Sequence, residues 1–286
     1  MKLKSLLFYF SMIYMQKVRH IMKPSILVLL IVTLLNSFGA ASITGSNLIV
    51  YKGDTLSLFD YPLEQLYEKG TIRPNLFGDQ KGCSLFGAGG GYVAKWEITD
   101  NMLYLTGIYS CCYNNDSVKA NLKDLFGEKC INGRVKATWV NGKMYSPLGR
   151  LLYCFPEGLH SIYENEVEFM FVNGALTGCK KLDNSKTKRS RYTDNQKLLH
   201  EYLKKSIKRE NLPESDSVKR KVFVHVISSN ENGKIDSVRI GRGVNELYDK
   251  EAIRIVKSIP DWDILYRHGE KVNYEWIVPV VFDITR

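Results

Sequence analysis

The 286 residues are 44% apolar and 24% charged, the balance of a folded chain with room for one or two cores and too apolar for wholesale disorder. The formal charge of +10 invites a nucleic-acid reading, but its distribution removes it: 5 basic and no acidic residues precede position 46, 14 of each lie in 46–182, 12 basic face 6 acidic in 183–221, and 9 face 10 thereafter. The excess belongs to the N-terminal leader and one polar segment, so no folded region has the basic composition of a nucleic-acid footprint.

At the N-terminus, Lys23 and Pro24 precede the apolar run Ile26 to Leu35, followed by Gly39, Ala40, Ala41 and Ser42. That is the shape of a signal peptide. The run falls short of the ~20 residues that cross a bilayer, although continued to Ile43 it makes a marginal anchor. Residues 1–42 are therefore read as a signal peptide or an N-terminal membrane anchor, with Met1 or Met22 as the start, and the chain is expected to be exported, or membrane-anchored if the leader is retained.

All six cysteines, Cys83, Cys111, Cys112, Cys130, Cys154 and Cys179, fall in the next region, 46–182. In an exported chain an even number points to disulfides, with fifteen connectivities open. No paired CxxC clusters or neighbouring histidines mark a metal site. The region alternates apolar and polar residues between turn pairs, which predicts β-hairpins: Tyr92–Thr99 with Met102–Tyr109 around Asp100-Asn101, Val135–Val140 with a strand after Asn141-Gly142, Glu166–Val172 with Ala175–Lys181 around Asn173-Gly174, and Leu48–Leu58 folded at Gly53-Asp54. The expectation is an antiparallel meander, sandwich-like or a partial barrel.

Functional constellations in this region read better as structure. The glycine run 87–91 precedes a strand and lacks a following Gly-Lys-Ser/Thr, so it reads as a turn and not a phosphate loop. Trp96 and Trp139 at strand positions read as core, and Glu164, Glu166 and Glu168 on one strand face read as a solvated edge. The histidines lie far apart in sequence and no nucleophile with a base and an orienting group can be assembled. The chain is thus expected to be non-catalytic, with neither cofactor nor metal.

Residues 183–192 are polar and basic and read as a linker between domains. After them, Thr193 can cap a helix through Leu198, Leu199, Tyr202, Leu203 and Ile207, ending at Asn211 and Pro213. Val222–Ile227 alternates as a strand, Glu231-Asn232-Gly233-Lys234 turns, and Ile235–Gly241 returns. Asn245 can cap a helix over Glu246–Ser258 whose apolar face holds Leu247, Ile255 and Ile259, and one long strand is predicted from Val272 to Ile284.

This order of elements, with Val222-Phe223-Val224, Gly233-Lys234-Ile235, Arg242-Gly243, Glu246-Leu247, Glu251-Ala252, Val256 through Pro260, Trp262, Gly269-x-Lys271-Val272 and the late Pro279, resembles the TonB C-terminal domain across about 196–284. The resemblance implies a 193–286 module with a three-stranded antiparallel sheet and two helices on one face, giving an α+β chain as a whole. It further implies β-augmentation, in which an extended segment of an outer-membrane TonB-dependent receptor or other envelope protein pairs with the last strand, at Val272, Asn273, Tyr274, Glu275, Trp276, Ile277 and Val278. The chain departs from an energy-transducing TonB in having only 8 Pro and a cysteine-bearing β-region where the spacer would lie. Two functions follow: an adaptor or transducer-like role in transmembrane transport, or a periplasmic or surface ligand-binding protein whose β-domain binds while the C-terminal module docks.

Overall fold

A computed structural model describes residues 46–67, 72–80, 91–155, 161–213 and 218–283. The leader, Cys83, Gly87–Gly90, His160 and Ile284 lie outside these residues. All the described residues fall within one compact unit, Ile43–Arg286. It is mostly β strand with few helices, in antiparallel and mixed sheets.

The N-terminal strands are β1 (Asn47–Tyr51), β2 (Asp54–Leu58), β3 (Tyr92–Thr99), β4 (Met102–Ser110), β5 (Cys130–Ile131), β6 (Arg134–Lys136), β7 (Gly142–Tyr153), β8 (Ile162–Val172) and β9 (Ala175–Asp183). They join in the order β2-β1-β3-β4-β9-β8-β7, with β6 and β5 branching from β4. Tight turns account for most neighbours. Lys52-Gly53, Asp100-Asn101 and Asn173-Gly174 all have positive φ, which matches the right-handed twist of the strands they connect. The meander expectation needs two corrections. β1 runs parallel to β3, with Ile49 opposite Trp96, so this sheet is mixed. Asn141-Gly142 closes no hairpin, because β6 pairs with β4 and β5 while β7 pairs with β8. The tight hairpin turn lies instead at Asn132-Gly133, φ 50° and 74°, between β5 and β6.

The two ends of the strand path meet. Phe59 N–H donates to Tyr145 O at 3.0 Å and Tyr145 N–H to Asp60 Oδ2 at 2.6 Å, so the sheet curls round one core. Alternation supplies that core: Tyr92, Ala94 and Trp96 from β3, Leu103 and Leu105 from β4, and Phe169 and Phe171 from β8 are all buried. Trp96 has no exposed surface.

The C-terminal part contains helix α2 (Gln196–Lys205), strands β10 (Arg220–Ser229) and β11 (Ile235–Arg242), helix α3 (Glu246–Lys257), a small hairpin of β12 (Leu265–Arg267) and β13 (Glu270–Val272), and β14 (Trp276–Phe282); α1 is the short helix Leu122–Phe126. β11, β10 and β14 form a three-stranded antiparallel sheet in that order. Val222, Val224 and Val226 with Val278, Val280 and Phe282 face one core, which Leu203 of α2 and Tyr248, Ala252, Ile255 and Val256 of α3 complete. Three expectations change here. Asn195, not Thr193, caps α2 by accepting Leu198 N–H at 3.1 Å, since the Thr193 hydroxyl is spent on Ser190 O and Asp263. Leu247 is 49% exposed, its place on the buried face taken by Tyr248. The long final strand is broken: β13 pairs with β12 and β14 with β10, and Asn273–Glu275 lie between them.

Residues 183–192 are no loose linker. Lys188 and Ile264 exchange backbone hydrogen bonds at 2.8 and 2.9 Å, Asp263 Oδ1 accepts Ser190 N–H at 2.7 Å and the Thr193 hydroxyl at 2.6 Å, and Ser190 Oγ donates to Asp261 O at 2.9 Å. Asn184, fully buried, donates to Tyr163 O and accepts Gly269 N–H. The segment stitches the curled sheet to the β12–β13 hairpin.

Glu251 on α3 plays a similar part inside the C-terminal core. Only 2% exposed, it accepts Lys208 N–H at 2.8 Å and both Nε and Nη2 of Arg254 at 2.8 and 2.6 Å. Glu251→Ala strips partners from the part-buried Lys208 N–H and a half-buried guanidinium at once. The expected outcome is a loss of about 2–4 kcal/mol, read as a lower denaturation midpoint with unchanged slope in urea unfolding of the whole chain.

Candidate functional site

β14 is the feature on which the partner-binding expectation turns. Among the described strands it pairs only with β10, leaving its other side as a sheet edge, and its sequence WIVPVVF carries no charge. Its register with β10 sets Ile277 opposite His225 and Pro279 opposite Phe223, and Ile277 is 58% exposed. These side chains lie on the face turned away from the helices, because Val278 and Val280 between them are buried in the core. Nearby, Glu275 pairs with His225 and Arg239, and the His225 contact, with Arg239 beside it, holds the carboxyl below its ordinary range.

The seven expected binding residues therefore divide. Ile277 lies on the open edge strand, whereas Val278, 2% exposed, belongs to the core. Val272, Tyr274 and Trp276 pack against the curled sheet in a cluster with Tyr153, Ile162 and Leu265, Tyr274 lying 4.7 Å from the Phe155 ring. Asn273 and Glu275 are exposed and precede the strand. The strand that remains for pairing is 276–282, shorter than expected because Val272 pairs with Leu265 in the β12–β13 hairpin and the partly buried Tyr274 packs against Phe155.

A second constellation lies where the β12–β13 turn meets the curled sheet. His268 and Gly269 take positive φ, 56° and 76°, making a two-residue turn that points His268 inward. Its N–H and its Nδ1 both meet Glu166 Oε2 at 2.9 Å, while its ring stacks on Tyr145 at 3.7 Å between centroids. Glu166 has no exposed surface. Asp60 faces the same cluster, and burial raises its pKa; Glu166 adds to the rise, while the Tyr145 N–H, His268 and Arg267 work against it. Tyr145 is pushed up to about 12 by burial and by Glu168. The solvated-edge reading of Glu166 and Glu168 is thus overturned. Glu168, 5% exposed, pairs with Lys143 at 3.1 Å and Lys180 at 3.3 Å, and although burial alone would raise its carboxyl, these lysines bring it below the ordinary range. Pairing across strands puts both glutamates under cover, a relation invisible along the chain.

The cysteine expectation is also revised. Cys111 is disulfide-bonded, while Cys112, Cys130, Cys154 and Cys179 are thiols. They stand on separate strands and loops, and Cys154 and Cys179 are exposed. Among the described residues, no group of three His, Cys, Asp or Glu side chains is placed to hold a metal ion, and no helix is long and apolar enough to cross a membrane. Comparison with models of known protein families, with characterised proteins and with solved structures returns no match for this chain.

The raised pKa of Asp60 fixes the sign of one pH effect. In the unfolded chain the carboxyl titrates near its ordinary value, so above that value the folded state holds the extra proton, and stability falls as pH rises through the folded pKa. Asp60→Asn keeps an acceptor for Tyr145 N–H and removes the buried charge. The variant is expected to gain on the parent chain in chemical denaturation from pH 4 toward pH 7, and a difference that stays constant with pH excludes Asp60 as the titrating group. Alkylation of the native chain followed by peptide mapping should label Cys154 and Cys179 before Cys112 and Cys130, in keeping with their exposure.

Proposed function

We propose that this chain is a non-catalytic protein of the cell envelope whose C-terminal part holds an extended segment of a partner by β-augmentation along β14, in an adaptor or transducer-like role. The observation that carries the reading is an uncharged strand that, among the described residues, is paired on one side only, set in a β11-β10-β14 sheet backed by α2 and α3. The likeness of this element order to the TonB C-terminal domain supports it and names the partner class, a periplasm-facing segment of an outer-membrane receptor. Export by the apolar leader places the module where such a segment is found. The pairing residues are Ile277 to Val281, in place of the earlier-starting stretch from Val272. In this mode main-chain hydrogen bonds supply affinity and the open-face neighbours Ile277, Pro279 and Phe223 supply selectivity for apolar side chains at alternate positions.

The test uses backbone donors. Residues two apart in a strand direct their N–H groups to the same side, and β14 already tolerates Pro279 in its ladder with β10. Ile277→Pro and Val281→Pro share that parity and are expected to fold, yet to weaken binding of receptor segments to the whole chain by about tenfold or more, since each removes an outward donor. Native-like binding by both variants, or no binding of any receptor segment by the parent chain, ends the augmentation reading.

A further inference from the structure

A groove of about 700 Å³ lies on the flank of the curled sheet, away from β14 in sequence and in the strands that form it. One wall is a segment that extends the sheet beyond its named strands. Tyr109 and Lys119 form an isolated antiparallel bridge, Ser110 N–H donates to Val118 O at 2.9 Å, and Ala120 N–H donates to Ile108 O at 2.8 Å. Lys119 is thereby laid beside Tyr109. The chain then enters α1, where Asn121 Oδ1 accepts Lys123 N–H at 3.0 Å and Leu122 anchors the turn in the core at 8% exposure. Lys123 and Lys119 both line the groove.

The floor is apolar and the rim is polar. Ile108 is fully buried beneath, and Gly107 keeps the space above the strand for the Tyr109 ring, since a Cβ there would stand 2.5 Å from its Cε2. Lys95 Nζ lies over the Tyr109 ring, 4.6 Å from its centroid. Gln80, Ser117 and Asn121 join the lysines in the lining, while the Thr106 hydroxyl donates to Lys95 O at 3.1 Å, and no carboxylate is among the described residues that line it. Lys123 does meet Glu128 at 3.0 Å, but that carboxylate is 99% exposed, so water screens the pair and it competes weakly with a bound anion.

We propose that this groove binds a small anionic, hydroxyl-bearing ligand of the class of a phosphorylated, sulfated or uronic sugar. The volume falls in the range of small-molecule sites. The two lysines, with no carboxylate among the described lining residues, set the sign of the charge, and the polar lining of Gln80, Ser117 and Asn121 above an apolar floor matches a sugar ring in place of a bare ion.

The experiment is calorimetric titration of the full chain with glucose 6-phosphate, glucose 6-sulfate and glucuronate, with glucose and inorganic phosphate as controls, repeated on Lys119→Glu and Lys123→Glu. Both lysines are exposed, so the variants should keep the parent circular dichroism spectrum, and Lys119→Gln serves as the milder change. The expected result is binding of at least one anionic sugar, weakened about tenfold or more by either charge reversal, with no binding of glucose and weaker binding of phosphate alone. The pattern among the three sugars identifies the anion. Absence of binding by all three, affinity unchanged in both charge-reversal variants, or inorganic phosphate binding as tightly as the sugars overturns the proposal.

Discussion

Asn184, Thr187, Lys188 and Ser190 lie within a stretch whose composition is that of a tether, yet each of them hydrogen-bonds to the segment 261–269. That pairing is the constraint on which the two halves of the molecule depend. It pairs the backbone of Lys188 with that of Ile264 and satisfies the buried Asn184 and Ser190, and it brings His268 to Glu166 and Tyr274 to Phe155. The C-terminal sheet is consequently not an independent head on a flexible neck. Cutting the chain at 192 would leave Glu166 without its imidazole, remove Ser190 from Asp263, and expose the shared cluster of Tyr153, Ile162 and Leu265.

The charged residues show how the molecule divides its chemistry. Buried carboxylates serve architecture: Glu251 holds the turn after α2, Glu168 joins β7, β8 and β9 through two lysines, Asp263 gathers Ser190 and Thr193, and Asp60 with Glu166 receives the β12–β13 turn. Each costs desolvation that its hydrogen bonds must offset. Exposed charge follows a different distribution, and in the groove beside Tyr109 the lining cations face no carboxylate among the described lining residues.

How much of this could be read beforehand depends on the range of the interaction. Local chemistry was legible: Asp100-Asn101 and Asn173-Gly174 form tight turns, Asn245 caps α3 by accepting Tyr248 N–H, and alternation placed Tyr92, Ala94 and Trp96 on a buried face. Where a residue's fate depends on a distant strand, local pattern was insufficient. Glu166 alternates like a surface residue, and only His268, 102 positions later, explains its burial. Val272 to Phe282 reads as one strand because all of it favours extended structure, but His268-Gly269 folds the first part back on β12. The parallel contact of β1 with β3 has no signature in either strand alone, since it depends on a return through the intervening chain. Of the candidate site, the uncharged strand around Pro279 could be found from sequence, whereas the packing of Tyr274 and Trp276 against the cluster of Tyr153, Ile162 and Leu265 could not.

Pro279 has three strand residues on either side of it. If two copies of the molecule approached edge to edge with β14 against β14 in a symmetric antiparallel register, the two pyrrolidine rings would confront one another at the centre, and neither could donate a hydrogen bond there. An uncharged strand of this kind is otherwise a template for sheet growth. The proline makes the edge poor at recognising its own image while leaving carbonyls and flanking amides available to a different sequence, so the same residue that punctuates the ladder also disfavours homotypic stacking.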